Sequence, residues 1–121
     1  MTTTQRIGNI GEQLAAHHLT QHGYTILATN WHCQYGEIDI IARAKDATIV
    51  FVEVRTRRTT TTQSAFASIT PTKQAKLVKS VQNYLNTHDL DDSAWRVDVI
   101  GVALPYKQRA VIDHVQDALN W

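Results

Sequence analysis

The stretch GEIDIIARAKDATIVFVEVRTRR, residues 36–58, reads as two short apolar runs around a polar turn, with acids and a cation set where apolar side chains are expected. Residues 37–42 and 48–57 are rich in β-branched side chains, and the short connection at 43–47 makes them antiparallel neighbours. Ile49, Val50, Phe51 and Val52 are apolar at every position, which predicts a strand covered on both faces and central in its sheet. Side chains alternate along a strand, so Glu53 and Arg55 share one face while Val52 and Val54 take the other, and Glu37, Asp39 and Ile41 share a face of the preceding run. Paired around the turn, the two strands project their acids from one side of the sheet at one end.

Carboxylates crowded in a partly buried site repel one another and lose hydration, which raises a pKa or calls for a compensating cation. Arg55 supplies one positive charge. A divalent ion supplies two, and Asp39 and Glu53 offer the oxygen ligands that Mg²⁺ or Mn²⁺ accepts while keeping waters for a phosphate. Such an ion, with a cation nearby to balance transition-state charge, is suited to phosphodiester hydrolysis. The alternative is an exposed ladder of ion pairs, Glu53 with Arg55 or Arg57 and Asp39 with Arg43, which contributes little to stability. The apolar run directly before Glu53 argues against it, because a central strand is a poor place for exposed charge.

Working outward, residues 6–22 carry Ile7, Ile10, Leu14, Ala15 and Leu19 at helical spacing, with Gly23 where a C′ residue belongs, and residues 1–5 are expected to be a flexible tail. Residues 24–29 predict a strand. Residues 58–69, which include Thr59 to Thr62, predict a polar loop that is mobile without a ligand. Thr70 and Pro71 form a helix start, and Ala75, Val78, Val81 and Leu85 mark its buried stripe to about residue 88. Residues 95–104 predict a fourth strand, parallel to the third because a helix intervenes, and 111–115 a fifth. With no repeat or linker, residues 1–121 form one domain, a layered α/β sandwich with a mixed sheet.

Composition excludes the disordered, collagen-like and disulfide-rich classes: the chain is 43% apolar and 19% charged. No apolar run approaches the ~20 residues needed to span a bilayer, and MTTTQRIGNIGEQ lacks the pattern of a signal peptide. With Cys33 its lone cysteine, the chain forms no intrachain disulfide and suits a reducing cytoplasm; Cys33 beside His32 reads as ordinary packing. The net charge of +1 is uneven. Residues 43–79 carry eight Lys or Arg against Asp46 and Glu53, a net of +6, and residues 80–121 a net of −3. The basic middle suits a polyanion, and Arg57, Arg58, Lys73, Lys76 and Lys79 flank the Glu53 strand in order as candidate phosphate contacts. His18 and His22 have the spacing of a zinc pair but no apparent third ligand. Asp98 suits a structural ion pair, and Trp31, Tyr35, Trp95 and Trp121 suit core caps rather than base-stacking platforms.

Gly11-Glu12, Gly36-Glu37-Ile38-Asp39, Phe51-Val52-Glu53-Val54-Arg55-Thr56-Arg57, a Lys73-bearing helix and Arg96-Val97-Asp98-Val99 together resemble the YraN family of uncharacterised bacterial proteins over nearly the whole chain. That family is similar to archaeal Holliday junction resolvases and to the wider restriction-endonuclease-like nucleases, whose core is helix, three-strand meander, helix, strand. The resemblance implies a metal-dependent DNA endonuclease acting on branched or structured DNA, with Asp39 and Glu53 as metal ligands and Glu12 completing the acidic cluster. Arg55 stands where the superfamily has lysine, and Glu37 is a further candidate ligand. Loss of that lysine keeps open a non-catalytic module that binds nucleic acid on the same fold. Resolvases act as dimers on a symmetric four-way junction, which implies a homodimer.

Overall fold

The structure is a computed structural model that describes residues 1–119. Trp121 lies outside the described residues. The element order is α1 (Thr3–Gln21), β1 (Thr25–Cys33), β2 (Gly36–Arg43), β3 (Ile49–Arg57), α2 (Gln63–Ala67), α3 (Pro71–Thr87), β4 (Trp95–Ala103) and β5 (Val111–Val115). The five strands form one sheet in the order β1-β2-β3-β4-β5, so β3 is the central strand. Only β3 and β4 pair in parallel, across the α3 crossover; the other neighbours are antiparallel. This is the mixed sheet of a layered α/β sandwich, with helix, meander, helix and parallel strand in the expected order. Among the described residues no helix is long and apolar enough to cross a membrane.

Each sheet face carries its own core. Val50, Val52, Ile100 and Val102 pack with Ala15 and Leu19 of α1, whereas Phe51 and Val97 pack with Leu77, Val81, Tyr84 and Leu85 of α3. Residues 49–52 are all buried because both faces of β3 are covered. Each such side chain contributes roughly 1.5–3 kcal/mol relative to exposure.

Four local expectations are corrected. The first helix begins at Thr3, because Thr2 and Gln5 form a reciprocal capping box that satisfies two backbone donors, so the expected flexible tail is mostly helix. The polar stretch 58–69 contains α2, held by buried Ala65 and by a Thr62 hydroxyl that donates to Asp113 on β5. The buried stripe of α3 is also rotated: Ala75 is exposed, and Leu77 and Tyr84 take the inward positions. On α1, likewise, Ile10 faces solvent.

Asp98 is fully buried on β4 and structural. It receives Arg96 Nε at 3.0 Å, His114 Nε2 at 2.7 Å and the Asp117 backbone N–H at 3.0 Å, while Arg96 also donates to the Tyr24 hydroxyl. This network joins β4, β5 and the residue that precedes β1.

α1 comes close to the sheet at Gly11, where a Cβ would lie 1.8 Å from Thr56 Oγ1. That approach places Glu12 beside the end of β3. Gly8, one turn earlier, has open space. Gly11→Ala is therefore expected to destabilise the protein by about 1–3 kcal/mol through overpacking, and Gly8→Ala to stabilise it by about 0.5–1 kcal/mol through helix propensity. Urea denaturation of the two variants checks the opposite signs.

Candidate active site

The acids meet where β2 and β3 part. Their ladder runs from Arg43↔Ile49 to Ile40↔Val52 and ends there, although β3 continues beside β4 as far as Arg57↔Ala103. Beyond the last pair, the Asp39 carboxylate accepts the Val54 backbone N–H at 2.8 Å, taking the place of a main-chain partner. Strict alternation also breaks at this point: Ile38 and Ile41 belong to the core on the α3 side, and Ile40 and Ala42 to the core on the α1 side. Asp39 consequently borders cavities on both sides of the sheet.

Three cavities converge on this fork. One of about 270 Å³ is bordered by Asp39, Glu53, Arg55, Lys73, Lys76 and Tyr35. A second, of about 360 Å³, is bordered by Glu12, Arg55, Arg57 and Arg58, and a third, of about 350 Å³, by Glu12, Asp39 and Asn30. The fold thus brings together Glu12, Asp39, Glu53 and Arg55, with Lys73 and Lys76 on one flank and Arg57 and Arg58 on another. Lys79 is exposed on α3 and borders none of the three.

Electrostatics follow from burial. Loss of hydration, then the Glu53 charge, pushes the Asp39 carboxyl up to about 8, against the opposing pull of the Val54 N–H. Burial also raises Glu53, offset chiefly by Arg55, whose Nη2 lies 2.8 Å from Glu53 Oε1, and by Lys73. Interaction with Asp39 also opposes that rise, and Glu53 remains raised overall. Glu12 is raised by burial and by Glu37, against a hydrogen bond from Asn30. Glu37 itself is exposed and meets His32 at 3.5 Å, acting on the site as a nearby negative charge. The Arg55 Nε is buried without a hydrogen-bond partner, a donor left open beside the acids.

A family model described as "Uncharacterised protein family UPF0102" matches residues 11–102, a span that holds the four central residues and both cavity lysines. The chain belongs to UPF0102. This is the family whose motifs the sequence resembled under the name YraN. Curated UPF0102 relatives include one from Chloroflexus aurantiacus, 47% identical over 98% of this chain and 97% of its own. Another, from Syntrophus aciditrophicus, is 46% identical over 99% and 93%, and one from Roseiflexus castenholzii is 42% identical over 95% and 94%. Among solved structures, a chain described as "Structure of EndoMS-dsDNA2 complex" overlaps with a TM-score of 0.39 at 18% identity, covering 72% of the UPF0102 chain and 34% of that chain.

Two contributors escaped the sequence reading. Asn30 adopts a left-handed backbone (φ 50°) and reaches Glu12, a conformation that asparagine tolerates better than most residues. Tyr35 is 43% exposed at the rim of the acid cavity rather than a core cap. Trp31 and Trp95 do pack against the α3-side core as expected. His18 and His22 lie ring to ring at 4.2 Å, with His22 Nδ1 against the His18 carbonyl.

Because Asp39 titrates near 8 in the fold and near 3.8 ordinarily, the native state retains a proton that the unfolded chain releases. The stabilisation from that proton is complete below about pH 4 and is lost as the pH rises through about 8. Asp39→Asn keeps an acceptor for the Val54 N–H without the charge. In chelator, it should match the wild type near pH 4 and exceed its stability at pH 8 by about 2 kcal/mol or more. Urea unfolding at both pH values measures this, and an identical gap at the two would contradict it.

Proposed function

We propose that this protein is a metal-dependent endodeoxyribonuclease that hydrolyses phosphodiesters in branched or structured DNA in the cytoplasm. The observation that carries this reading is the Asp39 and Glu53 pair, both lining one cavity at the fork of β2 and β3 and both raised by burial, with basic side chains in the cavities on two sides. The donor set fits a hard divalent cation. No group of three or more His, Cys, Asp or Glu side chains among the described residues is arranged to enclose an ion. Asp39 and Glu53 would therefore hold Mg²⁺ or Mn²⁺ through two carboxylates, leaving its other positions to water and phosphate. Such an ion, when bound, supplies positive charge against the phosphodiester and acidifies a water.

The chain's own residues do the rest. Arg55 is held by Glu53 through Nη2, and its side chain, 21% exposed, borders both basic cavities, so its guanidinium would steady the scissile phosphate. Lys73 and Lys76 would take a phosphate on the α3 side, and Arg57 and Arg58 one beyond Arg55. Arg55 does not deprotonate, so it cannot accept a proton from water as a lysine could. Glu12, whose pKa burial raises, is the candidate acceptor. Two copies would serve the two symmetric strands of a four-way junction.

The Glu53–Arg55 ion pair favours a second reading, because an arginine that neutralises its neighbouring ligand suits a fold that binds DNA without cutting it. Purified protein incubated with a four-way junction, a flap and a linear duplex separates the readings. Mn²⁺-dependent cleavage of the branched substrates is expected, absent in chelator and in Asp39→Ala, with binding at low salt retained. Lys73→Ala with Lys76→Ala should weaken binding and reduce its salt dependence by about two counterions. Binding without cleavage in any metal would establish the second reading, and absence of binding at low salt would defeat both.

A further inference from the structure

The three cavities at the fork differ in charge. Two contain Arg55 with further lysines or arginines, as a phosphate path requires. The third, of about 350 Å³ between α1 and β1, is bordered by Asn9, Gln13, Thr29 and Asn30 together with Glu12 and Asp39, and has no lysine or arginine in its wall. A phosphate placed there would meet two acids and no cation to balance its charge. The lining instead suits a neutral, polar, flat group. Asn9 and Gln13 are four residues apart and share one face of α1, which puts two amides opposite Asn30 and Thr29 of β1. Amides offer a donor and an acceptor side by side, the pattern that reads a base edge, while Ala16 and Ile40 supply apolar wall for a ring face. Asn9 and Gln13 are exposed, and the weak contact of Asn9 Nδ2 to Met1 Sδ (3.5 Å) is readily displaced.

We propose that this cavity seats the base of an unpaired nucleotide adjoining the reacting phosphate, an inference that rests on the nuclease reading above. Glu12 and Asp39 form its border with the acid site, which puts the seat within about one nucleotide of the phosphate. A stacked and paired base cannot present its edge there without leaving the helix, and leaving costs least where the nucleotide is already unpaired. The preferred substrate class is thus DNA with an unpaired nucleotide at the point of cleavage rather than continuous duplex.

The test is fluorescence anisotropy at low salt in chelator, so that nothing is cut. It compares a DNA duplex that carries one bulged nucleotide with the same duplex whose bulge is an abasic residue. The wild type should bind the bulged base about tenfold more tightly than the abasic analogue. Asn9→Leu combined with Gln13→Leu, both at exposed positions, should abolish that preference while leaving abasic binding unchanged. Equal affinity of the wild type for the two DNAs would overturn the base seat and leave the nuclease reading standing. A preference that survives in the double variant would overturn the assignment to this cavity. Failure to bind either DNA would remove both the seat and the reading it rests on.

Discussion

A single backbone donor organises the site. β3 stays paired with β4 along its whole length, but β2 leaves it after Ile40↔Val52, so the Val54 N–H that faces the gap needs another acceptor. A buried donor left unmade costs about 1–3 kcal/mol, and the Asp39 carboxylate meets that need at 2.8 Å. Asp39 is thereby fixed in a place where hydration is poor, which is why its proton is retained. The same parting opens the sheet at one end, so Glu12 from α1 and Lys73 from α3 approach one point from opposite faces. A ladder continued by two more residues would have closed that gap and separated them.

Two buried aspartates show how partners decide the role of an acid. Burial would raise both. Asp98 receives donors from His114, Arg96 and the Asp117 backbone, and these outweigh burial and hold it below its ordinary value. Asp39 has one backbone donor and a carboxylate neighbour, and burial wins. Asp98 is therefore a permanently charged clasp between strands, whereas Asp39 sits poised between charge states near neutral pH. Only the second can respond to a ligand that brings positive charge.

Features encoded over a few residues were legible in the sequence. The apolar run 49–52 announced a central strand, alternation set Glu53 and Arg55 on one face, and the helix between β3 and β4 required a parallel crossover. Asp39 and Glu53 could be brought together from the turn between their strands. The rest depended on tertiary context. Which turn of α3 faces inward is set by the shape of the sheet surface, and this exposes Ala75 and aims Lys73 and Lys76 at the acids while leaving Lys79 outside. Asn30 matters only because β1 brings it to Glu12, and Tyr35 only because the hairpin tip overhangs the cavity. The Thr2 and Gln5 capping box, by contrast, carried a readable signal, since threonine three residues before glutamine is its pattern.

Arginine at position 55 changes the division of labour within such a site. A lysine presents its three donors from a single rotatable ammonium, a point charge without a fixed fork. The planar guanidinium meets Glu53 with Nη2 and carries further N–H donors while bordering both basic cavities, so one side chain can neutralise an acid and still face a phosphate. The cost is the loss of a titratable group on β3, because a guanidinium stays charged at any physiological pH. On the nuclease reading proposed above, proton traffic would then pass through a group on another element, and Glu12 is the acid that α1 brings to the fork, raised by burial and opposed by Asn30. The close approach at Gly11 that sets Glu12 in place thus becomes as consequential for the chemistry as the strands that carry Asp39 and Glu53.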